Sequence, residues 1–365
     1  MALGRHIWGP DLDRNGAYFD WKYRDNPNLG PDGMIYFVVL HDDTVVGMRG
    51  LHPIRLQADG PDKLTALCWG DAVVDPQHRG NKLLTPLTDA LLAKAADMGY
   101  RHVFGVSNNP ATFFHLTKLG WKPAVPYLPL HRYAGSKGIL FNAFQFARQM
   151  PILSTLAGAL QHGARHKRIG AFADDTDVFG PLDEADAQQA PVTIASSPQP
   201  EAMADLARRL NGDARISLVK DAAYLGWRFD NPLAMHRFLY CGDPALDGYL
   251  VVQTKRFGNF GLVNLVDWEA ESIDVMRALL RTLLTVGRFR SLATWSAGLS
   301  SQTLALLRKE GFKTKEPAPA DGDYRQGLIF GEPGSHHTNT PWTLGRRDLL
   351  NPADWNLRMI LSDGY

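Results

Sequence analysis

The sequence predicts an α/β protein built from two related modules, because three features recur in the same order along the chain. Residues 21–27 read WKYRDNP and residues 227–232 read WRFDNP, so a Trp, a cation and an aromatic residue precede Asp-Asn-Pro in both. Two apolar runs typical of β-strands follow each motif. A helical pattern later stops at a glycine, Gly120 in the first unit and Gly311 in the second. We therefore interpret the chain as a duplication.

The strand pairs of the two units are predicted as hairpins. In each, a short polar turn separates the apolar runs: Asp42-Asp43 in the first unit and residues 242–247 in the second. The distance from Trp to terminal glycine is 120 − 21 = 99 positions in the first unit and 311 − 227 = 84 in the second. The second module is therefore the shorter one.

Composition excludes several classes of protein. The chain has 365 residues, 45% of them hydrophobic, and a formal net charge of +1, so no strong overall field favours nucleic acid. Two cysteines, Cys68 and Cys241, are too few for a disulfide framework or a Cys-rich zinc site. Residues 1–16 lack the apolar core of a signal peptide, and no run of 18 uncharged apolar residues occurs. We expect a cytoplasmic protein with no integral membrane segment and no metal.

The stretch DPQHRGNKLL, residues 75–84, links an apolar strand to a helical pattern. A glycine turn that opens a helix presents backbone N–H groups without intrahelical partners, and the helix dipole adds positive potential. Arg79 and Lys82 add full charges. These features predict a phosphate site, although an ordinary basic strand–helix turn has the same composition.

The matching stretch of the second module has no glycine turn. It carries Asp267, Glu269 and Glu271, which we expect to cap the following helix and to repel a phosphate. We therefore predict one phosphate site per chain, in the first module.

Composition also suggests the domain boundaries. Residues 135–171 are basic and apolar and residues 172–188 are acidic, which indicates a connecting segment, with a membrane-surface helix as the alternative. The predicted units are an N-terminal module, a helical and acidic linker, a C-terminal module without the phosphate turn, and a tail: 1–133, 134–190, 191–330 and 331–365.

A specific order of elements spans residues 67–122: strand, glycine turn, long helix, the strand HVFGVS, then NNPATFFHLTKLGWK. Residues 77–80 match a Gln/Arg-x-x-Gly turn, with Lys82 where a second small residue is usual. Asn109 and residues 118–121 match an Asn–helix–KLGF element. This segment resembles the GNAT superfamily of CoA-dependent N-acyltransferases, and the flanking strands and the repeat resemble a tandem GNAT arrangement.

The resemblance implies a mixed, mostly antiparallel sheet flanked by helices in each module. It implies acetyl-CoA or another acyl-CoA as co-substrate, bound in a gap where the strand before the turn splays from the next strand. A primary amine would attack the thioester directly in a ternary complex. The implied cofactor-binding residues are Val73, Val74, Gln77, His78, Arg79, Gly80, Asn81, Lys82, Asn109 and Phe113.

Two residues are candidates for proton transfer. Asp71 lies on the splayed strand and is the candidate base, although a carboxylate there also suits a purely structural hydrogen bond. Relatives often carry a tyrosine acid four residues before the glycine of KLGF, where this chain has Leu116. Its neighbour His115 is the candidate substitute, with a solvent-facing histidine as the alternative.

The acceptor site is predicted at the WKYRDNP motif, because aromatic faces beside Asp and Asn suit sugars and nucleobases. The candidates are Trp21, Tyr23, Asp25 and Asn26. A structural helix end is the alternative, since the motif recurs in the second module.

The tail resembles those of tandem GNAT proteins that acylate amino sugars on nucleotide carriers in polysaccharide synthesis, through Trp355, Leu357 and Asp363. Two other functions stay open: aminoacyl-tRNA-dependent peptidyl transfer, which the near-neutral charge disfavours, and CoA binding without turnover. The sequence does not indicate an oligomeric state.

Overall fold

A computed structural model describes most of the chain as two large β-sheets with flanking helices. The predicted α/β architecture of two modules is confirmed. No helix in this described part is long and apolar enough to cross a membrane. The described residues are 2–58, 63–107, 116–126, 129–133, 188–189, 192–210, 215–255, 262–287, 289, 291–314, 327–334 and 341–362.

In the part of the chain that the structure describes, the first sheet has seven strands in the order β1-β2-β3-β4-β15-β5, with β9 paired to β2. All its pairs are antiparallel except β3 with β4, which is parallel. Its strands are β1 (Ile35–His41), β2 (Thr44–Gln57), β3 (Lys63–Val74), β4 (Val103–Ser107), β5 (Lys122–Pro126), β9 (Ser217–Leu218) and β15 (Gly327–Gly331).

The second sheet has eight strands among the described residues, in the order β14-β6-β13-β12-β11-β10-β8-β7, and again one parallel pair, β12 with β13. Its strands are β6 (Pro129–Tyr133), β7 (Gln188–Gln189), β8 (Val192–Ala195), β10 (Ala234–Cys241), β11 (Gly248–Lys255), β12 (Leu262–Ala270), β13 (Ser291–Trp295) and β14 (Lys313–Thr314). A small hairpin, β16 (Thr343–Leu344) and β17 (Arg347–Asp348), lies in the tail.

Most of the longer helices begin at a side chain that accepts a hydrogen bond from a first-turn N–H, which satisfies a donor the helix itself leaves unpaired. Four such caps are Asp11, Asp221, Ser272 and Ser300. Within the described ranges, the helices are α1 (Arg5–Trp8), α2 (Leu12–Tyr23), α3 (Leu84–Asp97), α4 (Pro200–Arg209), α5 (Ala222–Phe229), α6 (Ile273–Val286) and α7 (Ser301–Lys309).

The turn and stop signals of the sequence have the expected backbone conformations. Asp42 and Asp43 both have positive φ, 45° and 62°, which suits the tight turn between β1 and β2. Gly120 and Gly311 end their helices with φ of 80° and 91°, in the left-handed region that favours glycine.

The two modules exchange a strand. β6 follows the first module in sequence but lies between β13 and β14 of the second sheet. β15 follows the second module but lies between β4 and β5 of the first sheet. Each sheet therefore needs a strand from the other half of the chain, and the predicted boundaries at 133 and 330 do not coincide with the boundaries of the sheets.

The repeated Trp of the two motifs joins the modules. The Trp21 and Trp227 rings stack with centroids 4.7 Å apart and planes 10° apart. Each indole Nε1 donates to the backbone carbonyl of the other Trp at 2.6 Å, so the contact is reciprocal. Asn26 and Asn231 each accept a backbone N–H two residues ahead at 2.9 Å. The duplication thus places equivalent residues against each other at the module interface.

The tail belongs to the core between the modules. Trp355, Leu357 and residues 359–361 are buried in a cluster that also contains side chains from both sheets. Trp355 is 1% exposed, packs on Phe330 with ring centroids 5.8 Å apart, and donates Nε1 to the Leu349 carbonyl. The burial of its ring favours a packing role for Trp355 over contact with a ligand.

Candidate active site

The central feature of the first sheet is a gap between β3 and β4. The two parallel strands pair only at Leu67–Val103 and Cys68–Phe104. β3 then runs on to Val74, while β4 continues to Ser107 paired with β15 on its other side. Residues 69–72 are partly or fully exposed along this departing edge. The two strands therefore separate after Cys68, where the splay is predicted, and the space between them is the candidate cleft.

A β-bulge lies where the cleft opens. Arg49 faces Ala72 and Leu51 faces Trp69, so Gly50 stands opposite two residues, Gly70 and Asp71. A Cβ on either glycine would collide with Tyr23, which lies against the bulge. Glycine at both positions therefore admits the Tyr23 ring and brings its hydroxyl to Asp71.

Asp71 accepts two hydrogen bonds on one carboxylate oxygen. Lys22 Nζ and Tyr23 Oη both donate to Oδ2 at 2.9 Å, and the Asp71 N–H donates to Tyr23 Oη at 3.2 Å. Lys22 is 3% exposed and Asp71 is 16% exposed, so the carboxylate reaches the cleft while its partners are buried. Burial, and then the charge of Asp71, raises the pKa of Tyr23 well above its usual value, which keeps the phenol a donor.

A third aromatic residue packs behind Asp71. The Tyr36 ring meets Tyr23 edge-on with centroids 4.7 Å apart, and its buried Oη has no hydrogen-bond partner among the described residues. The pKa of Tyr36 is also raised, mainly by burial and further by the charge of Asp71. The sequence analysis did not identify Lys22 or Tyr36. The only signal for Lys22 was its position between two aromatic residues on a helix.

The glycine turn at the start of α3 is open. α3 has no side-chain cap, unlike its counterpart α6, where Ser272 Oγ accepts from the Val275 N–H at 3.2 Å. Gly80 and Lys82 have φ of 87° and 55°, in the left-handed region that occurs in anion-binding turns of successive backbone N–H groups. The predicted phosphate turn therefore has an uncapped helix N-terminus and a lysine in a conformation that glycine adopts more easily.

Other residues at the turn are fixed by a local hydrogen bond and by packing. Asp75 Oδ1 accepts the Gln77 N–H at 2.9 Å, and this bond is the main cause of its lowered pKa. Val73 is buried against Leu3 and Met48. The cofactor candidates at the surface are Gln77, Arg79, Gly80, Asn81 and Lys82, which are exposed, and Val74 and His78, which are half-buried.

Arg49 is a buried cation beside the cleft that sequence reasoning did not find. Its guanidinium lies over the Trp69 ring, 3.8 Å from the centroid, and Nη1 donates to Thr88 Oγ1 on α3 at 2.8 Å. Burial lowers its pKa to about 9. Arg49 thus fixes Trp69 at the narrow end of the cleft and ties β2 to α3.

Three sequence candidates, Asn109, Phe113 and His115, lie outside the described residues. Leu116, which stands in the position of the family's tyrosine, is fully buried in the core under α3 and has no proton to transfer. Cys68 is buried in the core, as a packed thiol rather than a nucleophile.

The fold places the four candidate acceptor-binding residues in different surroundings. Tyr23 faces Asp71, while Trp21 and Asp25 line a groove of about 990 Å³ on the side of α2 toward the second module. Asn26 is buried and donates Nδ2 to the Pro53 carbonyl at 3.2 Å. The structure gives Trp21 and Asn26 packing roles, and a substrate role for any of the four stays a prediction.

The second module also has a gap between two parallel strands and a β-bulge, but buried side chains occupy this region. β12 leaves β13 after the pair Asn264–Ala293, and a bulge lies between Leu265 and Asp267. Asp267, the counterpart of Asp71, is fully buried. It accepts Lys220 Nζ at 2.5 Å and Tyr249 Oη at 2.8 Å.

The acids of this segment do not start the helix. Asp267 and Glu269 lie on β12, which extends to Ala270, and Glu269 accepts Lys220 Nζ at 2.8 Å. Glu271 forms an ion pair with Arg209. The expectation that these acids cap α6 is wrong, because Ser272 takes that position after a strand longer than the sequence suggested.

Comparison with known proteins supports this geometry. Residues 4–121 match the family model described as "Acetyltransferase (GNAT) family". The match lies within the first module and leaves the rest of the chain uncovered. No curated protein matches the chain.

Solved structures share the fold across both modules. A GCN5-related N-acetyltransferase from Anabaena variabilis ATCC 29413 aligns with a TM-score of 0.54 at 11% identity, covering 91% of this chain and 69% of its own. A probable N-acyltransferase of unknown function from Enterococcus faecalis V583 gives 0.53 at 11%, covering 90% and 68%. A tandem GNAT protein from the clavulanic acid biosynthesis pathway gives 0.50 at 14%, covering 92% and 93%. At such identities the likeness is one of fold.

Proposed function

We propose that the cleft of the first module transfers an acyl group from acyl-CoA to a primary amine by direct attack in a ternary complex. The observation that carries the proposal is the gap between β3 and β4 lying beside an uncapped glycine turn. One end of this site suits an anion and the other an extended chain between two strands. That combination fits a pyrophosphate joined to a pantetheine arm better than it fits a free phosphate.

The turn supplies the anion-binding part of the proposed site. The helix N-terminus of α3 and the positive-φ residues Gly80 and Lys82 present N–H groups, and Arg79 and Lys82 carry charges. The edge of β3 from Ala72 to Val74 offers backbone groups to the arm. A backbone N–H near Val73 or Val74 would polarise the thioester carbonyl.

Asp71 is the proposed base. Its Oδ2 is held by Lys22 and Tyr23, which fixes the carboxylate at the bulge where the cleft opens. An ammonium group reaching this carboxylate gives up a proton, and the free amine nitrogen then attacks the thioester carbon. The nitrogen then loses its second proton to solvent as the carbon–sulfur bond breaks and the amide forms. The thiolate leaves, with His115 the proposed proton donor to it.

The acceptor is proposed to be an amino sugar, in the first instance one carried on a nucleotide. The support is the resemblance of the tail to those of tandem relatives and the polar groove beside Asp25 and Trp21. Trp355 of the tail is buried and is therefore not proposed as a ligand contact. Trp21 and Trp227 both line that groove, and Trp227 is the proposed contact for a sugar because it is half-buried whereas Trp21 is buried.

A thiol-release assay with acetyl-CoA and a panel of amines tests the proposal. The panel contains free amino sugars, nucleotide-linked amino sugars and simple alkyl amines. We expect amine-dependent thiol release. Asp71→Asn should lower kcat by at least about 10²-fold with a smaller change in KM, which is the lower end of the contribution of a positioned acid or base.

Asp89→Asn is the matched control, since Asp89 is an exposed carboxylate on α3 of the same module. It should leave kcat unchanged. Acetyl-CoA binding without turnover of any amine would make the protein a binder instead of a transferase. Full activity in Asp71→Asn would assign the base elsewhere.

A further inference from the structure

A buried arginine of the first module carries a charge with no acid beside it. Arg49 is 4% exposed, and its guanidinium has one hydrogen-bond acceptor among the described residues, the Thr88 hydroxyl at 2.8 Å. Its Nε atom is buried and donates to none of them. Of the described titratable groups, Tyr23 alone contributes to the field at Arg49, and burial keeps that phenol neutral at pH 7. Buried charges in proteins are normally paired, so Arg49 lacks a counter-charge within the described chain.

A second unpaired donor lies beside this arginine. The Arg49 guanidinium packs over the Trp69 ring, 3.8 Å from the centroid, and the buried Trp69 Nε1 has no acceptor among the described residues. Water could accept from both donors, but it would leave the charge of the arginine without a partner. An acceptor that carries a negative charge satisfies the hydrogen bonds and the charge together. The pair of Arg49 and Trp69 therefore suits an anionic group.

Both side chains lie at the edge of the candidate cleft. Arg49 is paired with Ala72 of β3, which is exposed where β3 has separated from β4. Trp69 is half-buried on the same edge, and its ring meets Trp121 edge-on with centroids 5.2 Å apart. The Trp121 ring lies against Gly331 of β15, on the other side of β4. The Trp69 ring therefore extends from β3 toward the opposite wall of the cleft, and the guanidinium lies over it.

The two charged side chains of the cleft lie on opposite faces of the sheet. Gly50, the neighbour of Arg49 on β2, faces Tyr23 of α2, because a Cβ there would collide with that ring. Successive residues of a strand face opposite sides, so Arg49 faces α3, in agreement with its bond to Thr88. Asp71 lies on the α2 face, where Tyr23 donates to it. A thioester in the cleft would thus have a carboxylate on one side and a cation on the other.

We propose that the acyl group transferred in this cleft ends in a carboxylate, which Arg49 and Trp69 bind. The proposal rests on the proposed function, because it assigns the acyl chain of the same acyl-CoA. The carboxylate oxygens would accept from the guanidinium and from the indole, and Asp71 stays available for the ammonium on the other face. The terminal carboxylate keeps its bonds during transfer. The amine nitrogen bonds to the thioester carbon and the carbon–sulfur bond breaks, with the protons following the route proposed above, so the products are the amide and the CoA thiol.

The register of β2 with β3 gives the approximate length of this acyl chain. Trp69 pairs with Leu51 and Val73 with Met48, so the two β3 positions are three β2 residues apart, about 10 Å at about 3.3 Å for each residue. In the proposed mechanism the thioester carbonyl accepts from an N–H near Val73. A hydrogen bond of about 2.9 Å at each end leaves about 4 Å, the length of three C–C bonds in an extended chain. This is the length of a four-carbon diacid, so the acyl group is of the succinyl class.

Isothermal titration of the full chain with CoA, acetyl-CoA, butyryl-CoA and succinyl-CoA tests the proposal. The butyryl and succinyl groups have the same number of carbons and differ in the terminal charge. We expect succinyl-CoA to bind about 10- to 10²-fold more tightly than butyryl-CoA, the fold-change that corresponds to a hydrogen bond with a charged group. This comparison uses the wild-type chain alone, so it does not depend on whether a variant folds.

Arg49→Met removes the charge and keeps an unbranched side chain, and it should abolish the preference for succinyl-CoA. Circular dichroism checks that the variant is folded. Arg101→Met is the matched control, since Arg101 is an exposed arginine just before β4 of the same module. It should keep the full preference.

Equal affinity of the wild-type chain for butyryl-CoA and succinyl-CoA would overturn the proposal while leaving the proposed function in place, and Arg49 would then be a structural residue. A folded Arg49→Met variant that still prefers succinyl-CoA would overturn it too. Weaker binding of all four ligands by the same factor in that variant would place Arg49 at the phosphates of CoA, which also contradicts the proposal. If the wild-type chain binds none of the four ligands, the proposed function fails as well.

Discussion

The stacked pair Trp21–Trp227 should couple the two modules energetically. Replacing either Trp by Leu removes one Nε1–H donor, worth about 0.5–1.5 kcal/mol net, and the ring stack, worth about 0.5–1.5 kcal/mol. Each single variant should therefore lower the free energy of unfolding by about 1–3 kcal/mol. The two hydrogen bonds run from each indole to the other residue's backbone, so they are lost independently, whereas the stack is lost only once.

Urea denaturation of the wild type, both single variants and the double variant measures this coupling. The double variant should lose about 0.5–1.5 kcal/mol less than the sum of the singles, with one transition in every case. Trp121→Leu combined with Trp227→Leu is the control pair, because Trp121 lies in the separate core under α3, and its effects should add. Additive losses for Trp21 and Trp227, or two separate transitions, would refute the reasoning.

Two further predictions concern stability and assembly. Burial raises the pKa of Tyr23, Tyr36 and Tyr249 in the folded chain, so the folded state resists ionisation that the unfolded state accepts above about pH 10. Stability should be constant from pH 7 to 9 and fall above pH 10; urea midpoints measured across this range check it, and a rise above pH 10 would contradict it. The two halves of the chain, 1–190 and 191–365, should each be insoluble when they are produced separately, because each sheet lacks a strand without the other half. Co-expression of the two halves should restore a soluble complex. A half that is soluble and monomeric by itself would contradict this.

Local signals in the sequence predicted the local features of the fold. The Asp42-Asp43 turn and the glycine stops follow from residue types that tolerate positive φ, and the structure has them there. The glycine turn before α3 was found in the same way. Each of these features depends on a few neighbouring residues, so the local sequence is enough to predict it.

The features that the sequence did not reveal depend on distant residues. Lys22 and Asp71 are 49 positions apart, and neither has a local pattern that marks the ion pair. β15 enters the first sheet between β4 and β5 from the far end of the chain, which no periodicity encodes. Asp267 and Glu269 were misplaced because acidic residues before a helix resemble caps, and only the register of β12 with β11 shows that they lie in a strand.

The central claim is that one acyl-CoA binds per chain, at the turn of the first module, and isothermal titration with acetyl-CoA tests it most directly. Wild-type protein should bind at one site per chain. Gly80→Asp should abolish binding, because its carboxylate would meet the pyrophosphate. Gly99→Asp is the matched control, since both glycines have positive φ, 87° and 80°, and open space at Cβ; it carries the same backbone strain and should bind as the wild type does. Two equal sites per chain, or wild-type affinity in Gly80→Asp, would contradict the account.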